Sequence, residues 1–375
     1  MTLILQVFYS VFSGVLLSLG IPNELFLLGS PFYASIAIIP YYFVIKKTKN
    51  YKQAFWFGFF QALTVHLCSS FWLAYFKDFA IFTLGASAVA TAAEGGIFAL
   101  FLFLPFSRTE ESPLNYFSAS KKFYQDTAFR ILYFAAIYTA FEWAKSSGFI
   151  GYPWGTISSA MFRWNSLKQL ASITGTYGIT FLIVMMDALI VEIISLFYKA
   201  GVDKDYRFLY QSPKNALYTF LILFSLTLIW GSYEYNKERK PDKTLTTILV
   251  QQNNNPWNLD DDDETILTSE KLSEEKIKLL KAENKKPQLI VWSEGSLLHY
   301  FPGAYDYYYW YPEEKPLLEF IAETKTPLIT GGVYKKKFTP KENKKSDSNP
   351  DSEDEEEKNE YKYFNSTLMF DSEAN

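Results

Sequence analysis

The side chain in this sequence best placed for chemistry is a carboxylate just past a predicted buried strand. Leu289 to Ser296 reads LIVWSEGS, and the branched apolar run Leu289, Ile290, Val291 has the character of a strand with Glu294 standing beyond its end. In open α/β sheets the rim at the carboxyl ends of the strands is where ligands bind. Glu294 is therefore the first functional candidate. A carboxylate there also serves simply to cap the turn, and this stretch alone leaves both roles open.

Other ionisable residues stand in apolar surroundings. Glu94 lies inside a long apolar run, where a carboxylate is expensive and is either functional or a bonded structural residue. The adjacent Gly95 and Gly96 would let a neighbouring helix approach closely. Glu142 and Lys145 are one helical turn apart and can meet on one face, an arrangement that favours anchoring over catalysis. His66 and Cys68 sit among Leu63, Val65, Leu67 and Phe71 and read as packed interior residues. One cysteine excludes internal disulfides, and two histidines far apart in sequence are too few to suggest a histidine-based metal centre.

The elements that must position these residues divide the chain. With 375 residues, 49% of them hydrophobic and 19% aromatic, it is more apolar than an ordinary soluble enzyme. Apolar runs near 3–20, 25–45, 54–75, 80–106, 128–147, 170–197 and 215–234 approach or exceed the roughly 20 residues that cross a bilayer. The first lacks a basic flank and a small-residue cleavage site, so it reads as a retained span. Lys46, Lys47, Lys49 and Lys52, then Arg108, Lys121, Lys122 and Arg130, then Lys199, Lys204, Arg207 and Lys214 fall in alternate loops. The basic loops face the cytoplasm, which puts everything beyond Tyr235 on the far side of the membrane. The net charge of -4 is distorted by the acidic tract Glu353 to Glu357. No basic stripe points to nucleic acid.

Residues 1–235 are thus expected to form a membrane domain of about seven helices, 236–243 a linker, and 244–375 an extracytoplasmic domain. In the last, strands are predicted at Thr246–Gln251, Gln288–Trp292, Leu328–Val333 and Tyr363–Phe370. Helices are predicted over 263–283, with Leu272, Ile277 and Leu280 inward, and over 313–325. This is an α/β layout with a mainly parallel sheet. The charged segment near 335–362 reads as a disordered acidic insertion. Tyr300 to Tyr311 (YFPGAYDYYYWY) reads either as an arm handling lipid or as a loop packing its rings on the sheet.

The ordered landmarks FEWAKSSGFIGYPWG (Phe141 to Gly155), ITGTYGITFLI (Ile173 to Ile183), ILVQQN (Ile248 to Asn253), LIVWSEGS, LITGGV (Leu328 to Val333) and YKYFNSTLMF (Tyr361 to Phe370) resemble bacterial apolipoprotein N-acyltransferase nearly end to end. The resemblance implies a multi-span α-helical membrane domain followed by an α/β nitrilase-like domain, an α-β-β-α sandwich, set in the bacterial inner membrane with the catalytic domain outside. It implies that a phospholipid gives its acyl chain to a cysteine thiolate. The free amine of a diacylglyceryl-cysteine on an apolipoprotein then takes it. No cofactor or metal is implied.

By the same resemblance Glu294 is the general base of a Glu, Lys, Cys triad, and Trp257 helps engage the substrate. Ser293 stands where the family usually has Pro, which should loosen the turn. The family's lysine and cysteine follow the strand matched by Tyr363 to Phe370, so the chain is expected to be a carboxyl-truncated member, its nitrilase-like domain incomplete, and inactive alone. The competing readings are a non-catalytic membrane protein binding lipid or lipoprotein, another nitrilase-type amide enzyme, and, on the spans and Glu94 alone, a transporter.

Overall fold

A computed structural model describes residues 1–23, 27–76, 79–107, 126–148, 151–204, 213–253, 262–338 and 360–375. They pack as two compact units, Met1–Glu238 and Arg239–Asn375.

In the first unit the main helices are α1 (Leu3–Gly20), α2 (Ile38–Lys47), α3 (Tyr51–Ser69), α4 (Ser87–Phe103), α5 (Thr127–Lys145), α6 (Tyr177–Asp203) and α7 (Lys214–Asn236). Among the described residues four helical stretches are long and apolar enough to cross a membrane: Leu3–Gly20, Ile81–Phe106, Tyr177–Val202 and Lys214–Asn236. The unit belongs to a membrane protein. The predicted span 25–45 is not one helix. A short helix, Pro31–Ala34, is separated from α2 by a turn. Pro40 explains the break, because it has no N–H to give the Ile36 carbonyl and its ring crowds that oxygen. The interruption leaves open N–H groups at the start of α2, and buried Asp187 of α6 accepts the one from Ile38 at 2.9 Å.

Small residues set the α3–α4 contact. A Cβ added at Gly58 would lie 2.5 Å from the Gly95 carbonyl oxygen and 2.4 Å from Ala99 Cβ, and one added at Gly95 would lie 2.4 Å from Ala62 Cβ. Each helix thus presents a small residue every fourth position, the pattern that lets membrane helices approach closely. Gly95 does admit a helix neighbour, as its position beside Glu94 suggested. Further along, Glu192 of α6 ties three helices together. It lies 2.7 Å from Lys46 Nζ and 3.7 Å from Arg130 Nε, and it accepts from Tyr42 Oη at 2.7 Å. In an apolar interior such a carboxylate persists only with partners of this kind.

The second unit is built on β1 (Thr247–Val250), β2 (Leu289–Trp292), β3 (Tyr300–Phe301), β4 (Leu328–Phe338) and β5 (Glu360–Phe370), with helices α8 (Asp263–Ala282) and α9 (Leu317–Thr324). β1, β2 and β4 run parallel in that order, with Leu249 opposite Val291 and Val291 opposite Ile329. β5 pairs antiparallel along all of β4. It therefore takes one edge of β4, and β2 and β3 share the other, β3 pairing through Tyr300 and Val333. One sheet face packs Ile248, Ile290 and Leu328 against Ile266 of α8 and Phe320 of α9. α9 starts at Leu317, directly after Pro316, later than predicted, because a missing N–H is harmless at a helix start.

Two expectations fail here. Leu272 is 38% exposed, whereas Ile266, Ser269, Glu270, Ser273 and Ile277 face inward. The face is polar in its middle because the indole of Trp292 needs an acceptor, and Ser273 Oγ supplies it at 3.0 Å. The predicted insertion near 335–362 is too wide. β4 continues through Phe338 and β5 begins at Glu360, Lys335 pairing with Tyr363 and Lys337 with Tyr361. Residues 339–359, with the acidic tract, lie outside the described residues.

Candidate active site

β2 is anchored by burial of Ile290 and Trp292, and the chain leaves the sheet immediately after. Glu294 stands two residues past the strand, exposed, and Gly295 reverses the backbone with φ +72°, a conformation that suits glycine. The turn lies directly against β4. A Cβ on Gly331 would come 2.8 Å from the Cα of Glu294 and 3.0 Å from the nitrogen of Gly295. The first glycine of LITGGV is thus the surface on which the Glu294 turn rests. Farther round, Leu297 N–H donates to the Gly331 carbonyl at 3.3 Å, bridging the gap on β4 between β2 and β3.

Several hydrogen bonds fix the turn. Ser293 Oγ donates to Gln252 Oε1 at 2.8 Å, and Ser296 Oγ donates to the Ser293 carbonyl at 2.7 Å. Ser293 therefore does not leave the turn loose, as its replacement of proline suggested. Its hydroxyl ties the turn to Gln252, just past β1, in place of the rigidity a ring would give. The buried Asp262 accepts the Leu298 N–H at 2.7 Å and the hydroxyl of Tyr308. Burial, and then the Asp262 charge, hold the Tyr308 phenol far above the usual tyrosine range. On the open side, Asn365 of β5 donates its amide to Glu294 Oε1. A carboxylate so placed has one oxygen held and one available, which suits a group that moves a proton.

The aromatic segment divides between its two readings. Phe301 and Tyr308 are buried and stacked, with centroids 5.5 Å apart. Tyr309 and Trp310 are 58% and 67% exposed. Trp257 lies outside the described residues. No group of three or more His, Cys, Asp or Glu side chains capable of holding a metal ion occurs among the described residues.

Of the ionisable residues singled out in the first unit, Glu142, Lys145 and His66 have partners within that unit. Glu142 accepts from Ile157 N–H at 2.8 Å and from the Thr180 hydroxyl, while Lys145 Nζ donates to the Trp154 carbonyl at 2.8 Å. They anchor the loop of the FEWAKSSGFIGYPWG landmark to α5 rather than bonding each other. His66 Nε2 is 2.9 Å from Ser87 Oγ, and its ring packs 5.1 Å from that of Tyr152. Cys68 is half-buried in α3. Asn365, Gln252, Asp187 and Glu192 escaped the sequence reading. For the last two a signal exists, a carboxylate inside an apolar run; for the first two it lay only in their membership of matched motifs.

Residues 13–189 match the family described as apolipoprotein N-acyltransferase N-terminal domain. Apolipoprotein N-acyltransferase 2 of Treponema denticola is 37% identical over 337 residues, covering 89% of this chain and 60% of the relative. Apolipoprotein N-acyltransferase 2 of Treponema pallidum is 32% identical, covering 86% of the chain and 56% of the relative. Apolipoprotein N-acyltransferase of Borreliella burgdorferi is 25% identical, again over 86% and 56%. The chain therefore spans between about half and two thirds of the length of these relatives.

Proposed function

Because the chain belongs to the apolipoprotein N-acyltransferase family, we propose that it serves the transfer of an acyl chain from a phospholipid to the amino-terminal amine of diacylglyceryl apolipoproteins, with Glu294 as the general base. The observation that carries this reading is the placement of Glu294 past β2, one carboxylate oxygen held by Asn365 and the backbone seated on Gly331. In the first half-reaction Glu294 takes the proton of a cysteine thiol. The thiolate attacks the ester carbonyl, and the lysophospholipid leaves as its oxygen takes back the proton from Glu294, which regenerates the carboxylate. In the second the amine attacks the thioester, its proton passes to the carboxylate and from there to the departing sulfur, and the thiol is released. Splitting the transfer in this way is covalent catalysis with ping-pong kinetics.

The only cysteine in these 375 residues is Cys68, in α3 of the first unit. We place the thiol, and the lysine of the triad, in the portion of the relatives that the match leaves uncovered, so that these 375 residues alone do not turn over. The sheet supports an α-β-β-α sandwich. Helices α8 and α9 cover one face, while the opposite face carries the row Leu249, Val291, Ile329, Met369. Leu249 and Met369 are 77% and 66% exposed. An apolar sheet face of that kind calls for a second layer. Trp257 is assigned to substrate engagement, and the second unit to the outer side of the bacterial inner membrane, where exported apolipoproteins are found.

A second reading, binding of lipid or lipoprotein without turnover, is favoured by the confinement of the single thiol to α3. Complementation separates the two. Cells depleted of their own N-acyltransferase receive this chain alone, or the chain fused to the portion of the Treponema denticola relative that the match leaves uncovered. Growth restored by the fusion and lost on Glu294→Gln supports the enzyme reading. Growth restored equally by both forms of the fusion removes Glu294 from the chemistry, and no growth with either favours binding alone.

A further inference from the structure

Beyond Gly331, on which the Glu294 turn rests, β4 carries a row of cations on the same sheet face. Alternate residues of a strand share a face. Val333 lies opposite Asn365, the residue that holds Glu294, and Lys335 and Lys337 follow on the same face opposite Tyr363 and Tyr361. One two-residue step, about 7 Å, separates the row that anchors Glu294 from the row of Lys335. Lys335 Nζ is caged by three rings, 4.2 Å from the centroid of Tyr361, 5.8 Å from Tyr363 and 6.0 Å from Tyr300.

Ring faces attract an ammonium but do not replace the strong acceptors it had in water. Among the described residues Lys335 and Lys337 have no carboxylate or carbonyl partner. The cage therefore fixes a cation whose N–H donors are still available. Lys335 and Lys337, together with Lys336 from the other face of the strand, line an open groove of about 780 Å³ with His299, Tyr307 and Tyr361, a volume suited to a small ligand. Close in sequence, exposed Tyr309 and Trp310 offer rings with polar ends, side chains suited to lipid at headgroup depth.

We infer that Lys335 and Lys337 seat the phosphate of a phospholipid headgroup beside Glu294, an assignment that rests on the acyl-transfer reading above. A phosphodiester is the acceptor-rich anion that two adjacent ammonium groups recognise. In a glycerophospholipid about five bonds separate the phosphorus from the nearer ester carbonyl carbon, so a phosphate held in the Lys335 row extends its ester along β4 in the direction of the Asn365 row. Gripping the phosphate at Lys335 would thus present the scissile ester toward the carboxylate. Lys335 and Lys337 are positioning residues, and they exchange no proton with the substrate.

The test is equilibrium binding to the full chain in a neutral detergent, by titration calorimetry. The probes are dihexanoyl phosphatidylglycerol, dihexanoylglycerol without phosphate, and inorganic phosphate. The phospholipid is expected to bind more tightly than either of the others. Lys335→Ala should weaken it roughly tenfold, the scale of a hydrogen bond to a charged group. Lys335→Arg should bind within about threefold of the parent, and Lys281→Ala, on the exposed end of α8, should match it. Unchanged binding in Lys335→Ala, or equal binding of the phosphate-free diglyceride, overturns the assignment. Equal binding of inorganic phosphate overturns the lipid as its source. Glu294→Gln should bind as the parent does. This assay needs no turnover, so it can fail while Glu294 still supports acylation, and it can succeed where acylation fails.

Discussion

Asn365 of β5 donates its side-chain amide to the carboxylate of Glu294, joining residues 71 positions apart. The bond depends on register. Asn365 stands opposite Val333 in the β4–β5 ladder, on the open sheet face, and a shift of one residue would turn it to the helix-covered face. Replacing Asn365 with alanine should leave the fold intact and free the carboxylate to move. In the fused enzyme the expected result is a fall in acylation rate of roughly tenfold, from a lost hydrogen bond to a charged group. An unchanged rate with Asn365→Ala would deny the contact a role.

Gly331 and Gly332 are adjacent but differ in what crowds them. A Cβ on Gly331 meets backbone, 2.8 Å from Glu294 Cα; one on Gly332 meets the end of the Leu368 side chain at 2.6 Å. Backbone of a pinned turn yields less readily than a leucine methyl. Gly331→Ala should therefore cost about 1–3 kcal/mol in thermal or denaturant unfolding, and Gly332→Ala distinctly less. Equal costs would mean that the turn is not seated as described.

Glu270 makes the second unit sensitive to alkali. Its side chain is 2% exposed, neither carboxylate oxygen has a hydrogen-bond partner among the described residues, and its pKa is pushed up to about 8. Burial is the main cause. The charge of Lys315 opposes it, and Glu274, Glu323 and Glu319 add to it. A pKa raised above the ordinary carboxylate value means that the folded state holds the proton more tightly than the unfolded one. The stabilising contribution is therefore full below about pH 4.5 and is lost as pH rises through about 8. Glu270→Gln should match the parent near pH 4 and exceed it at pH 9 by on the order of 3 kcal/mol. Parallel pH–stability curves for the two proteins would contradict this.

The α3–α4 contact in the first unit predicts a sharp contrast among glycines. A Cβ on Gly58 would lie 2.5 Å from the Gly95 carbonyl oxygen, whereas one on Gly85 would meet nothing within 4 Å. Gly58→Val should lower the unfolding midpoint in detergent by several degrees, an overpacking cost of about 1–3 kcal/mol. Gly85→Ala should leave it unchanged. Equal midpoints for Gly58→Val and the parent would show that the helices can separate freely.

The order of elements in the second unit was legible because Ile248–Val250, Leu289–Trp292 and Leu328–Val333 are branched apolar runs between turn-forming residues. Leu272 misled because hydrophobicity alone does not report the acceptor that Trp292 requires from Ser273. Lys335 to Lys337 read as loop because charge disfavours a buried strand; at the outer end of a hairpin, cross-strand tyrosines stabilise lysines without burial. The split of 25–45 was written in Pro40, though apolar length outweighed it. At the candidate site the position of Glu294 followed from the strand. Its supports did not, since Gln252 meets Ser293 of the same turn across 41 positions and Asn365 meets Glu294 across 71, both only through the sheet.

The most direct measurement is the mass of the amino-terminal peptide of a lipoprotein recovered from cells that depend on the fused enzyme. The account predicts a peptide heavier by one acyl chain with Glu294 present, and the diacylated peptide alone with Glu294→Gln. A triacylated peptide in equal yield from the Glu294→Gln enzyme would contradict it.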